Sequence, residues 1–396
     1  MKTMTKKILS VSIAAFMAAG AVAGLTGCGG SGGKSGGGDT IKIGTDLEMT
    51  GNQAAYGIDA LQGAQVAVEE INKNGGVLGK KLELVSLDNK SEPSEAASAA
   101  QKLVDEGVVA VVAPNMSSNA LAAVPILDGA KIPSISPGAT NPKVTVNEKT
   151  GKVYPYSFRA CFIDPYQGQV MASFVTEKLK AKKVAILIDN SSDYAKGLAK
   201  FFEDSFTKAG GQIVGTEAYL QKDTDFNATL TKIKAMNPDF IYVPGYYQEI
   251  GLIVKQARDM GIDVPFGGGD GWDSPTLVKI AGAENLTNTY YSNHYAVQKD
   301  NKKLMAFIDA YKAKFNTEPA QFGALTYDTV NLIAQAIKDA GAADPQKITD
   351  ALGKLKSFEG VTGQMSFTPT HDAKKAAFIL TYKDGKPVFQ DKVNAN

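Results

Sequence analysis

The residues best placed for chemistry lie in Val264-Pro-Phe-Gly-Gly-Gly-Asp-Gly-Trp-Asp-Ser-Pro275. Asp270 stands alone among glycines, with no Lys or Arg beside it to neutralise its charge, so it is suited to holding a cation. Val264–Phe266 is predicted to end a short buried strand. Gly267 to Gly269 let the backbone turn and approach whatever lies above it. Trp272 is the only tryptophan in the chain. Ser274 is placed to cap the next helix, with Pro275 at its first position. In an open α/β sheet, ligands bind beyond the carboxyl ends of the strands, and this loop occupies such a place. Read locally, the same residues also describe a glycine-rich turn whose acid caps a helix. Asp270 and Asp273 together could serve a hydrolase, but they divide better into one ligand contact and one helix-cap or surface acid.

Five other loops fall at equivalent places. Glu48 to Gly57, with Tyr56, follows the first predicted strand. Pro114 to Asn119 carries Ser117 and Ser118 at a helix N-terminus. Ser136 to Thr140 is built of small residues, among them Gly138, Ala139 and Thr140, that expose backbone N–H groups. These offer hydroxyls, amides and a helix dipole, which suit a carboxylate. Further on, Asp189 to Tyr194 and Pro244 to Glu249, the latter with Tyr246, join the Asp270 loop. Those offer a carboxylate and phenols, which suit an ammonium group. The division of charge matches a free amino acid. Each loop alone has a plainer reading, with Ser117 or Ser118 as helix caps, Tyr246 as a half-buried aromatic and Thr140 as turn filler.

The elements that must position these loops alternate short β-branched runs with amphipathic helices. Strands are predicted at 41–44, 82–87, 108–112 and 132–135, with helices at 57–73, 93–106 and 118–129. After an irregular stretch at 137–155 the rhythm restarts. Strands are predicted at 184–188, 213–215, 240–243 and 264–266, with helices near 194–209, 226–236 and 249–260. This βαβ pattern predicts an α/β fold of two doubly wound lobes whose sheets are mostly parallel and covered on both faces. Residues 302–356 read as mainly helical, with strands again at 362–367 and 376–382.

The N-terminus reads as a targeting segment. Lys2, Lys6 and Lys7 precede an apolar run at 8–23 that is too short for a confident membrane span and fits a secretory signal. It ends in Leu25-Thr-Gly-Cys28, which resembles the lipobox of bacterial lipoproteins. By that resemblance residues 1–27 are removed and Cys28 carries lipid, where two acyl chains anchor stably. Residues 29–38, nearly all Gly and Ser, form with Cys28 a flexible tether of about 15–20 Å reach. Removing residues 1–27, which hold three lysines and no acid, turns the net charge of +1 into −2. No basic field remains for nucleic acid. Cys161 is the one remaining thiol and the two histidines, His294 and His371, lie far apart, which argues against a metal site. No Gly-x-Gly-x-x-Gly opens the first helix, no Gly-x-Ser-x-Gly elbow occurs, and neither histidine has the context of a catalytic base. No cofactor is expected.

Several stretches together resemble the leucine/isoleucine/valine-binding proteins, the extracellular solute-binding components of ATP-driven amino-acid importers. They are Met49-Thr-Gly51 with Tyr56-Gly57, Glu70-Ile-Asn-Lys-Asn-Gly-Gly76, Ile135-Ser-Pro-Gly-Ala-Thr140, Asp193-Tyr-Ala-Lys-Gly-Leu198 and Val254-Lys-Gln-Ala-Arg258. The resemblance covers roughly residues 41–392. It implies a type I periplasmic-binding fold with a three-segment hinge, one lobe at 40–162 plus 294–378 and the other at 163–293 plus 379–396. It implies a monomeric, lipid-anchored protein on the extracytoplasmic face of a bacterial membrane. Such a protein captures a small aliphatic amino acid by hinge closure and delivers it to an ABC permease. By the same resemblance Ser117, Ser118, Gly138, Ala139 and Thr140 hold the ligand carboxylate. Asp270 holds the ammonium with Tyr194 and Tyr246, and Tyr56 and Trp272 border the side-chain pocket. The family's acid is often Glu, and a disulfide of some relatives is absent, Ser91 and Met116 standing in its place. These departures leave open which amino acid is bound. A ligand-sensing role, or another small carboxylate or amide such as an aromatic acid or urea, is the alternative.

Overall fold

The computed structural model describes residues 40–394, which fall within one compact unit. The expected signal segment, the Cys28 lipidation site and the tether lie outside the described residues. Eight elements build the first half: β1 (Thr40–Leu47), α1 (Ala54–Lys73), β2 (Lys81–Asp88), α2 (Pro93–Asp105), β3 (Ala110–Val112), α3 (Ser117–Gly129), β4 (Ser134–Ser136) and β5 (Ser157–Arg159). The five strands form one sheet in the order β2-β1-β3-β4-β5, parallel throughout. β3 and β4 are buried along their whole length, as strands covered on both faces must be.

The second half runs α4 (Asp164–Glu177), β6 (Lys183–Asp189), α5 (Asp193–Lys208), β7 (Gln212–Tyr219), α6 (Asn227–Ala235), β8 (Phe240–Tyr242), α7 (Tyr247–Asp259), β9 (Phe266–Gly268), α8 (Pro275–Ala281) and β10 (Thr289–Asn293). The chain then makes α9 (Lys302–Phe315), α10 (Gln321–Ala340) and α11 (Pro345–Gly353). A small antiparallel sheet follows, made of β11 (Phe358–Gly360), β12 (Gly363–Phe367) and β13 (Ala373–Lys374). It ends with the hairpin β14 (Ala377–Lys383) and β15 (Lys386–Val393). The second large sheet has the order β15-β14-β10-β9-β8-β6-β7; β10 to β7 are parallel, and the hairpin is antiparallel. α10 packs on α1 and β3, so the helices after β10 return to the first sheet.

The parallel α/β expectation holds, with differences in particular elements. β9 lies two residues later than the sequence suggested, so two of its three residues are glycines. Strand propensity is blind to such a segment, because what forms it is backbone pairing to Ile241, Tyr242 and Thr289–Tyr291 on its neighbours. α4 carried no periodic signal because it is buried on several faces, at Gln167, Gly168, Val170, Met171, Ala172, Phe174 and Val175. β5, β10 and the largely exposed β15 were likewise not foreseen as strands.

A buried clamp ties the segments between the two sheets. Arg159, at the end of β5, is fully buried and pairs with Asp372 at 2.7 Å. Its other nitrogens donate to the carbonyl of Ala139 at 2.7 Å and to Thr145 Oγ1 at 3.0 Å. The loop after β4 is therefore held from below by a charge-assisted network.

Candidate functional site

On the first sheet's side the loops are built around a buried acid. Glu48, just past β1, accepts from the backbone N–H of Met116 at 3.1 Å and of Asn115 at 3.4 Å. Its other two donors are the side-chain amides of Asn119 at 3.1 Å and Asn115 at 3.3 Å. Four donors fill the capacity of one carboxylate and lock the loop that enters α3. Ser117 opens that helix, fully buried, and its hydroxyl accepts from the Asn141 N–H at 3.3 Å. Gly138 lies against the Phe322 ring so closely that a Cβ would collide with it.

On the second sheet's side Asp270 follows β9 in a single 3-10 turn and is buried. Tyr194 Oη donates to Asp270 Oδ1 at 2.9 Å, and His294 Nε2 lies 3.2 Å from Asp270 Oδ2. Gln167 Oε1 accepts from the Asp270 N–H at 3.4 Å and from Ser292 Oγ at 2.9 Å, while Gln167 Nε2 donates to Asp164 Oδ1 at 2.9 Å. Among the described residues no Lys or Arg pairs with Asp270. Burial pushes the His294 imidazole down to about 4 and the Asp164 carboxyl up to about 7. The glycines flanking Asp270 are required by packing: a Cβ on Gly269 would strike the Tyr194 hydroxyl and Leu198, and one on Gly271 the Gly245 carbonyl.

These two sides enclose one cavity, lined by Asn115, Met116, Ser117, Gly138, Tyr194, Tyr246, Asp270, Gly271 and Phe322. Its volume is about 10 Å³, room for roughly one water, so anything the size of an amino acid enters only when the walls part. The walls also touch directly. Tyr56 Oη donates to the Gly271 carbonyl and accepts from the Tyr247 N–H at 3.1 Å. Asn52 Nδ2 donates to Glu249 Oε1 at 2.8 Å, and Ser118 Oγ donates to Asp193 Oδ2 at 3.1 Å.

Of the residues singled out from sequence, Ser117, Gly138, Tyr194, Tyr246 and Asp270 meet at the cavity. The others stand elsewhere. Ser118 bridges to Asp193 at the rim. Tyr56 packs edge-on against Phe322, Tyr246 and Tyr247 without lining the cavity. Ala139 spends its N–H on Ser136 Oγ and its carbonyl on Arg159, leaving no free amide. Thr140 is buried beside Asp164. Trp272, expected to border the pocket, is fully buried behind the turn, its Nε1 donating to the Val243 carbonyl at 2.9 Å. Phe322, from α10, takes the bordering place. Asp273 is neither a surface acid nor the cap of its own helix, which Ser274 caps. It is buried, accepts the Gln321 N–H at 2.9 Å and so caps α10 from across the fold.

Sequence reasoning did not place Glu48, Gln167, His294 or Phe322. His294 directly follows β10, and only the sheet order that sets β10 beside β9 brings it to Asp270. Phe322 reads in sequence as one more core residue of a long helix.

Residues 40–387 match the family model of a periplasmic binding protein. The leucine-, isoleucine-, valine-, threonine- and alanine-binding protein of Pseudomonas aeruginosa is 36% identical over 345 residues, covering 86% of this chain and 89% of the relative. The solved structure of LivJ from Streptococcus pneumoniae, a branched-chain amino acid transporter substrate-binding protein in complex with isoleucine, is 46% identical with a TM-score of 0.83. It covers 89% of this chain and 98% of its own. The leucine-binding protein LivK from Thermotoga maritima is 37% identical with a TM-score of 0.84, covering 89% and 99%. These relatives are substrate-binding proteins, not enzymes. With the parallel two-sheet fold and a cavity between the loops of both sheets, the chain belongs to the leucine/isoleucine/valine-binding family of periplasmic binding proteins, the substrate-binding proteins of branched-chain amino acid ABC transporters.

Proposed function

We propose that this chain captures a branched-chain amino acid between its two lobes and presents it to the permease of an ABC importer. The observation that carries the reading is Asp270: a buried carboxylate held by neutral donors and facing, across a cavity, the amide- and hydroxyl-rich entrance to α3. The ligand ammonium would take the free capacity of Asp270. Its carboxylate would meet Ser117, the backbone at Gly138 and the N-terminus of α3, where helix dipole and unpaired N–H groups favour an anion. The side chain would lie against Phe322, Met116 and the Tyr194–Tyr246 pair, whose rings stack at 5.2 Å.

Because the cavity admits about one water as its walls stand, binding requires the lobes to separate and reclose. Ligand then bridges them and shifts an open–closed equilibrium. The chain crosses between sheets after β5, after β10 and before β14, which gives the three strands of a hinge. Anchoring through Cys28 rests on the Leu25-Thr-Gly-Cys28 sequence and would keep the protein on the extracytoplasmic face of the membrane.

A thermal-shift screen over all amino acids and small aromatic acids tests the ligand class. Stabilisation growing as RT ln(1 + [L]/Kd) is expected with leucine, isoleucine or valine. A flat response to every amino acid, with stabilisation by an aromatic acid or an amide, would overturn the reading.

A further inference from the structure

One of the donors that hold Asp270, His294, has a role that the ligand-binding reading leaves unassigned. His294 is fully buried at the end of β10, its ring stacked on Phe162 with centroids 3.7 Å apart and planes 27° from parallel. That stack fixes the imidazole plane and aims Nε2 at Asp270 Oδ2. Its Nδ1 is buried with no hydrogen-bond partner. An ionised carboxylate can only accept, so the contact is attractive when Nε2 carries the hydrogen and Nδ1 is bare. The groups that act on the ring's charge are Asp270, which favours a cation, and Lys375, which opposes one. Burial, reinforced by Lys375, outweighs Asp270 and keeps the ring neutral at ordinary pH.

The neutrality has a consequence for the ligand. A Lys or Arg in this place would also orient Asp270, but it would neutralise the charge that the ammonium needs. A phenol on one oxygen and a neutral imidazole on the other fix the carboxylate's orientation and leave its charge unspent. Resting on the amino-acid reading above, we propose that His294 is a positioning residue that selects for the ligand's ammonium group by orienting Asp270 without discharging it.

The test compares leucine with isocaproate, which is leucine without its ammonium, by calorimetry on the full chain. His294→Phe keeps a stacking ring and removes the donor; His294→Gln keeps a neutral donor. His294→Phe is expected to weaken leucine about tenfold or more while leaving isocaproate within about twofold. His294→Gln is expected to recover at least half of the logarithmic loss. Unliganded melting temperatures of both variants report any purely structural effect. Leucine binding to His294→Phe as tightly as to wild type would overturn the inference, as would an equal loss for both ligands or no recovery in His294→Gln. If wild type itself binds no amino acid, the ligand reading fails and takes this inference with it. A failure confined to the variants leaves the ligand reading standing.

Discussion

Two buried acids, Glu48 at the mouth of the first sheet and Asp270 at the mouth of the second, occupy comparable places and do different work. Each follows a strand of its own sheet and each is nearly without solvent exposure. Glu48 is saturated by four donors from the loop that enters α3. Burial raises its carboxyl above the ordinary range against the pull of those bonds. Asp270 has two side-chain partners, one on each oxygen, and lines a cavity. A buried acid whose oxygens are filled by its own chain holds a loop. One with capacity left toward a void can hold a ligand. Occupancy of the carboxylate oxygens separates scaffold from proposed site where charge, burial and position on the sheet do not.

The largest expected effect is on the second acid. Asp270→Ala should cost roughly 2–5 kcal/mol of leucine binding, mostly by stranding a desolvated ammonium, and calorimetry measures it directly. Normal leucine binding by that variant would remove the distinction between the two acids. Glu48→Ala should reverse the pattern. It strands donors of the α3 loop and is expected to cost about 2–3 kcal/mol of unfolding free energy in urea titration, while the preference for leucine over isocaproate persists.

Asp164, linked to Asp270 through Gln167, sharpens the contrast through pH. Its carboxyl is pushed up to about 7 by burial. The folded chain therefore holds a proton that the unfolded chain has released. This group's contribution to stability is complete below about pH 4 and is lost as pH rises through about 7. Asp59 and Asp273, both raised to about 6, act in the same direction. These three acids should lower stability between about pH 4 and pH 7, against an opposing gain from His294 below about pH 6.5, and Asp164→Asn should lose measurably less over that interval in urea titrations. An unchanged slope would contradict the assignment. The smallest effect belongs to the rim. Lys222 and Glu92 pair at 3.0 Å across the two sides with both side chains more than half exposed, so Lys222→Ala should change leucine affinity by no more than about twofold.

Much of this organisation was legible in the residues themselves, for stated reasons. Short apolar runs set between amphipathic helices revealed β1 to β4 and most of the second sheet, because strands covered on both faces read that way. Asp270 stood out because a lone charge among glycines has no neighbour to explain it. His294 did not, since a single histidine after an unrecognised strand acquires meaning only from sheet order. The resemblance implies Trp272 as a pocket wall, but the 3-10 turn sends the indole behind the loop to the Val243 carbonyl. Asp273 reads in sequence as a helix cap or a surface acid, but which helix it caps is invisible there, since α10 begins 48 residues later in the chain. Long-range partners of this kind leave no local trace.

We propose that opposite ends of one small zwitterion are held by opposite walls of one cleft. It is tested most directly by titrating wild-type protein calorimetrically with leucine, with isocaproate and with isoamylamine, which lacks the carboxylate. Both truncated ligands are expected to bind at least about 30-fold more weakly than leucine. Either one binding as tightly as leucine would rule out two-walled recognition, because one wall of the cleft would then be contributing nothing.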